Sequence, residues 1–479
     1  MIIVRISRRK NPPGPPGLPF VGNLFQFDKA NPHIYLWRLS QKYGPLVYLK
    51  HGSTPILVVS STKMARQILK TYDLSFCTRP SVVGQQKLAY DGIDMAFSPY
   101  NHHWIQMRKI CVLHLLSPKQ VSSFRSVRED EVRRVIDKIT ISRSCNLSDI
   151  AMSLASNLIC RVAFGRRYDD DEYDKLRFDR LIMEAQALMV SFYFSDHFPV
   201  FGNWVDKVSG LLDRLQKNCK ELDVFYQQII DEHLNPSRPK PDRQDIIDLM
   251  FELLKHQSSS SSSLHITMDH IKALLMNLFV AGTDTVAAAV VLTMTALMLN
   301  PTIMNKAQTE IKQLIGNKGT VDEDDIKKLP YLKAVVLESL RLYPPAPLIF
   351  RTQISNQHCT IDGYKIEPGT SVFINGWAMA RDPETWKDPD EFRPERFTNS
   401  SWDGGVFEMI PFGGGRRGCP GMGMGLISTE LALANLLYSF DWALPSDGDN
   451  DGVDTEALPG LTMHKKNPLV LVATPTGCI

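Results

Sequence analysis

The sequence predicts a mainly α-helical protein with a small β portion, and three observations carry that prediction. The first is the long segment 270–299, in which Asp284 is the only formal charge from Ala273 onward. The second is a pair of further apolar segments with helical character, 331–343 and 422–438. The third is the brevity of the β signals: 46–50, 56–60 and 370–375 are short runs rich in β-formers, the first two separated by a turn at 51–55.

Composition sets the outer bounds. By length alone, 479 residues would suggest about three domains. Apolar residues are 43% and charged residues 22%, the balance of a globular protein with a large core. A net charge of +2 argues against a nucleic-acid binder that relies on bulk charge. The eight cysteines form no CxxC pair and no dense framework, so they are expected to be reduced and the compartment to face the cytosol. Residues 1–6 are apolar but far too few to span a bilayer, and no apolar core of signal-peptide length follows.

Taken in order, residues 1–10 end in a basic patch of Arg5, Arg8, Arg9 and Lys10. Residues 11–19 are proline-rich, and their fixed φ makes a stiff extended spacer. After the two strand signals, 62–71 reads as a short helix and 81–103 as loop, with Gly84, Gly92 and Pro99. Trp104 and Arg108 then share one face of a helical segment. Lys109, Arg125, Arg128, Arg133 and Arg134 add a basic tract, which reads as a solvated face or as a docking surface for an acidic protein. The 185–204 segment is dense in apolar and aromatic residues, with Asp196 and His197 interrupting it. Six serines at 258–263 read as a flexible linker.

The 270–299 segment is long enough to cross a bilayer. Ala281-Gly282-Thr283-Asp284-Thr285 at its middle argues against that, because a carboxylate flanked by hydroxyls is costly in lipid. A helix buried all round in a large α-helical domain is the reading adopted. Farther on, Glu338 and Arg341 are three residues apart on one helical face, and Pro344-Pro345 ends their helix.

The densest motif is Pro411-Phe412-Gly413-Gly414-Gly415-Arg416-Arg417-Gly418-Cys419-Pro420-Gly421. Its glycines make a tight turn of bare backbone that brings N–H groups close to sulfur. Pro420 reads as the first residue of a helix, which would place Cys419 at a helix N-terminus that favours thiolate. Arg417 offers a cation to a carboxylate.

Phe412, Gly415, Arg417, Cys419 and Gly421 meet the pattern F-x-x-G-x-R-x-C-x-G, which resembles the haem-binding loop of the cytochrome P-450 family. Five further features match that family in order: the proline-rich hinge, W-x-x-x-R at Trp104 and Arg108, AGTDT at 281–285, E-x-x-R at Glu338 and Arg341, and Pro394-Glu395-Arg396-Phe397. The resemblance runs from Pro12 onward and looks most like the plant microsomal type. It implies one catalytic domain, 20–479, with a long central helix, behind a residual basic segment at 1–10 and a hinge at 11–19. Haem b would be bound with Cys419 as the axial ligand of its iron. Arg417, Trp104, Arg108 and Arg351 would meet its propionates, and Phe412 would belong to the cofactor loop. Thr285 would stand against dioxygen with Asp284 as proton relay, and Gly282 would let the helix open locally. Glu338, Arg341 and Arg396 would form a network for folding and haem retention. The segments 347–350 and 458–462 match substrate-lining stretches.

The implied activity is monooxygenation, the insertion of one oxygen atom of O2 into a small apolar plant metabolite. Electrons would come from an NADPH-dependent cytochrome P-450 reductase, with cytochrome b5 as a second donor. An aldoxime, terpenoid, phenylpropanoid or alkaloid would serve as substrate. The stretches 76–80, 195–202 and 458–465 look similar to the aldoxime-metabolising subfamily. The implied location is the cytosolic face of the endoplasmic reticulum membrane, with peripheral association expected because no anchor helix is seen before the basic patch. No nucleic-acid partner is expected. Two other readings are a haem-thiolate isomerase or dehydratase that needs no reductant, and a non-enzymatic haem sensor.

Overall fold

A computed structural model describes residues 11–476 apart from 168, 170–171, 240–242, 257–264, 355–358, 399–406, 446–452 and 459. The basic segment 1–10 and the six-serine run therefore lie outside the described residues.

Helices dominate, and the apolar 270–299 segment is at their centre. It forms two helices in line, Met268–Gly282 and Asp284–Leu299, separated only by Thr283. Thr267 caps the first, exchanging bonds with His270. By length and apolarity the pair could cross a membrane, but it is mostly buried inside the protein. The Asp284–Leu299 half packs into one core with Leu147–Phe164, Pro330–Leu342 and Met422–Ser439. The Met268–Gly282 half packs into a second core with Leu147–Phe164, Glu172–Met189 and Leu211–Leu234. The central pair is apolar on every side because both cores need it.

Thr283, which follows Gly282, has φ −82° and ψ −66° and keeps ladder bonds of 3.3 and 3.2 Å to Phe279 and Ala287. Gly282 has a packing reason to be glycine: a Cβ there would lie 2.5 Å from Ile159 Cδ1 of the neighbouring helix. Two threonine hydroxyls at this point bond back to the preceding turn, Thr283 to the Phe279 carbonyl at 2.7 Å and Thr285 to that of Ala281 at 2.6 Å. Such back-bonds compete with the helix ladder and bend it.

The β portion is small and lies beside the helices. Its main sheet has four strands in the order Leu46–His51, Thr54–Val59, Ser371–Asn375, Leu348–Thr352. The first two pair antiparallel from Leu46 opposite Val59 to His51 opposite Thr54. Thr54–Val59 runs parallel to Ser371–Asn375, and Leu348–Thr352 returns antiparallel. A two-residue hairpin, Ala457–Leu458 with His464–Lys465, lies against the Asp284–Leu299 helix.

The structure corrects three local expectations. Residues 81–103 are not all loop, because Val83–Leu88 is a helix closed against Leu188 and Tyr193 through Gly84. Residues 62–71 divide into Thr62–Arg66 and a wider π-helical turn, Gln67–Thr71. The helix after the cysteine loop starts at Met422 rather than Pro420, so Cys419 precedes its first turn instead of capping it.

Candidate functional site

Glycine backbone shapes the cysteine loop. Gly413 and Gly415 have φ +70° and +66°, left-handed values that favour glycine. A Cβ on Gly415 would lie 2.5 Å from the Leu69 carbonyl oxygen. The loop is pinned by Cys419 N–H donating to the Phe412 carbonyl at 2.8 Å and by Gly413 N–H donating to that of Ile410 at 2.9 Å. Phe412 packs against the core shared with Met422–Ser439 and lies near Gly425, which anchors the loop to the following helix.

Cys419 differs from the other described cysteines. Those are buried or half-buried, whereas Cys419 is exposed. Protein nonetheless crowds around it, with the Gly421 N–H and the Arg108 guanidinium near its sulfur. Burial pushes the thiol up, against a hydrogen bond from the Gly421 N–H and the charge of Arg108. This corrects the expectation that the helix terminus alone favours thiolate. The protein supplies two contacts that favour the thiolate, and a bound cation would add a third.

Around this loop four guanidinium groups converge from distant parts of the chain. Arg417 Nε donates to the Cys77 carbonyl at 2.7 Å and Nη2 to that of Ser98 at 2.6 Å. Its Nη1 is buried with no partner. Arg351, almost fully buried on the edge strand, donates to the carbonyls of Phe350 and Gly414. Arg108 donates to the Gly418 carbonyl at 2.5 Å, one residue before the cysteine. Arg79 donates to the carbonyls of Ala96 and Phe350. Burial, then repulsion from the neighbouring arginines, lowers Arg79 and Arg417 to about 10 and about 9. Burial lowers Arg351 further, again with Arg79 and Arg417 adding to it. None of the four pairs with a carboxylate among the described residues; Asp73 and Asp94 act on them only at a distance. Uncompensated buried cations are costly. A ligand carrying two carboxylates beside a metal cation would supply both missing charges, and the donor set fits such a group.

Trp104 makes its contacts with protein groups in this structure. Its one N–H donates to the Met95 carbonyl at 2.8 Å, so it is not free for an anion. The ring instead lies against the Arg417 guanidinium, 4.1 Å from it, and steadies that cation. The loop that supplies these carbonyls is held by Asp94. Its carboxylate accepts from the N–H groups of Ala96, Phe97 and Ser98 and from Asn277 of the central helix. Sequence reasoning missed Asp94 and Arg79. An aspartate followed by a turn was a visible Asx-turn signal for the first; no local pattern marks the second.

On the central helix, Ala281 is exposed and Thr285, one turn on, half-exposed, although neighbours on the other faces are buried. That side of the helix is left uncovered by protein. Asp284 is buried, and its Oδ2 lies 3.2 Å from His464 Nε2, a partner the sequence does not suggest.

Glu338 stands apart from this uncovered side. Arg341 makes a bidentate pair with it at 2.7 and 2.8 Å, and Arg396 Nε joins at 3.1 Å. Arg341 also gathers the carbonyls of Ala380, Pro389 and Glu391.

Comparison with known proteins gives a family model described as Cytochrome P450 matching residues 12–472. A 6,7,8-trihydroxycoumarin synthase from Pastinaca sativa is 48% identical over 98% of this chain and 94% of its own length. A strychnine-11-hydroxylase from Strychnos nux-vomica is 43% identical over 98% and 92%. A solved zebrafish cytochrome P450 in complex with abiraterone superimposes with a TM-score of 0.76 at 25% identity, covering 93% of this chain and 99% of that one.

Proposed function

The chain belongs to the cytochrome P450 family and is a cysteine-ligated haem monooxygenase; from that premise we propose that Cys419 holds the iron and that a coumarin-like plant aromatic is the substrate. The observation that carries the site assignment is the convergence of four guanidinium groups, those of Arg351 and Arg417 buried and those of Arg79 and Arg108 half-buried, on the loop of the one exposed cysteine among those described. Arg417, with its unpartnered Nη1, and Arg351, Arg108 and Arg79 would hold the two propionates. Trp104 would act through Arg417. Haem supplies the redox chemistry that activates dioxygen, using electrons delivered by an NADPH-dependent flavoprotein reductase, with cytochrome b5 as a second donor.

The chain's own residues manage protons and exclusion of water. The Thr285 hydroxyl donates to the Ala281 carbonyl and must turn from it to donate towards the uncovered side of the helix. Asp284, adjacent in sequence, would restore the proton it gives. Thr285→Val removes that donor while conserving volume. The variant is expected to keep its haem and its ferrous–CO spectrum while product formed per NADPH falls on the order of 10²-fold, in the range for loss of a general acid. Unchanged coupling would refute the proton role. Turnover without NADPH would favour the isomerase reading.

The substrate class rests on the relatives. The 48% identical protein is named for a hydroxylated coumarin, which favours a flat oxygenated aromatic over the aldoxime suggested by three short stretches. Titration with hydroxycoumarins and with aldoximes, read as the haem spin-state shift, decides between them. A response to aldoximes alone would overturn the coumarin assignment.

The cytosolic face of the endoplasmic reticulum is the proposed location, as a membrane-surface enzyme. One corner supports it. Phe20, Phe25, Val200, Phe201, Trp204 and Val208 are all exposed. The two stretches that carry them are tied together by Gly52 N–H to the Val21 carbonyl, Ser53 N–H to the His197 carbonyl, and Lys29 over the Phe192 ring. Apolar side chains at one corner suit partial insertion below lipid headgroups. Replacing Phe201 and Trp204 by serine is expected to weaken binding to phosphatidylcholine vesicles by roughly 10²-fold, from the apolar area withdrawn. Equal flotation of both proteins would exclude this corner as the contact.

A further inference from the structure

We propose that His464 positions Asp284 and feeds it protons from solvent, an inference that rests on the reading of Asp284 and Thr285 as the proton-delivery pair. Asp284 is a poor terminus for a relay by itself. Its side chain is only 11% exposed, and His464 is its one hydrogen-bonding partner among the described residues. The imidazole is 32% exposed, so one residue bridges water and a buried carboxylate. The bridging atom is Nε2, 3.2 Å from Asp284 Oδ2, and no described residue bonds Nδ1. A ring with one nitrogen on an acid and the other unclaimed can pass a proton.

The contact is built rather than incidental. His464 sits in a hairpin strand paired with Leu458. On one side, Met463 N–H donates to the Pro345 carbonyl at 2.7 Å. The Met463 side chain is buried against Ala288 and Leu292, one and two turns along the helix that Asp284 begins. On the other side, Lys465 is buried and pairs with Asp454 at 2.6 Å. Lys466 N–H donates to the Glu456 carbonyl, and its ammonium pairs with the Glu456 carboxylate. Both neighbours of His464 are thus fixed, and the nearest basic residues on its strand are already neutralised. The ring meets the helix at Asp284.

The step balances without an electron changing hands. A proton from water binds Nδ1, the Nε2–H bond breaks, and the Asp284 Oδ2–H bond forms. The ring then turns over about its Cβ–Cγ bond, presenting Nδ1–H to Asp284 and the bare Nε2 to the next proton from water, so the following delivery repeats the step with the two nitrogens exchanged. Monooxygenation consumes two protons per turnover, so the path operates twice.

The test compares His464→Gln, His464→Phe and Asp284→Asn in the haem-loaded full chain, alongside histidine-selective 15N NMR of the unsubstituted protein. Glutamine retains an N–H donor for Asp284 but cannot relay. Both His464 variants are expected to keep the ferrous–CO spectrum while the product-forming rate falls on the order of 10²-fold and the solvent isotope effect grows. The His464 Nε2 resonance is expected to be that of a protonated nitrogen and to move on Asp284→Asn. Full activity in His464→Gln would overturn proton supply. So would an Nε2 resonance indifferent to Asp284→Asn, a result that holds even if the His464 variants fail to fold. Normal coupling in Asp284→Asn would instead sink the underlying reading of the Asp284–Thr285 pair.

Discussion

Cys419→Ala protein will show no red-shifted ferrous–CO Soret band and no NADPH-dependent product. The argument runs through charge. The protein by itself pushes the Cys419 thiol up, since burial outweighs the Gly421 N–H and Arg108. A metal cation would share the charge of the thiolate, and the band reports that sulfur–metal bond. Alanine removes the ligand while leaving Gly413 and Gly415 free to keep their turn. The arginines that would hold the propionates are untouched, so residual haem uptake without the band is the expected spectrum. A variant that retained the band would move the ligand elsewhere. Among the described cysteines the alternatives are less accessible, because Cys77, Cys111, Cys145, Cys160 and Cys359 are buried and Cys219 is half-buried.

Arg341→Met will yield little folded haem protein, and what is recovered will unfold at a markedly lower temperature. Both Arg341 and Glu338 are fully buried, and removing Arg341 leaves Glu338 with Arg396 as its one ion-pair partner among the described residues. Breaking such a pair costs about 3–5 kcal/mol, a large share of a total stability of about 5–15 kcal/mol. Arg396 and the Arg393 N–H would still reach Glu338, but the carbonyls of Ala380, Pro389 and Glu391 would lose their shared donor. That last loss makes a second expectation. Replacing Glu338 and Arg341 together by leucine should not restore stability, although apolar substitution often rescues a simple buried pair. Thermal unfolding of the single and double variants checks both points. Recovery in the double variant would show that the pair, and not the carbonyl hub, carries the cost.

The legible parts of the site were those written in short stretches. The turn at Cys419 follows from its glycines, and Glu338 and Arg341 meet because a helix brings residues three apart together. Asp284 and Thr285 were conspicuous because a carboxylate interrupts an apolar run. Helix and strand types were readable from periodicity, while the start after Pro420 and the helix within 81–103 were not. Those boundaries depend on packing, as where Gly84 closes against Tyr193 and Leu188.

By itself the sequence determined which chemistry is available: one sulfur in a glycine turn, one acid–alcohol pair in a buried helix, one carboxylate–guanidinium hub. Tertiary structure alone decided how these groups are served. Arg417 donates across 340 residues to Cys77, Asn277 reaches Asp94 across 183, and His464 reaches Asp284 across 180. Local periodicity carries no information about which side chains the closed chain brings together at such separations. The folded core sets those pairings, because most buried charges and N–H groups find a partner there.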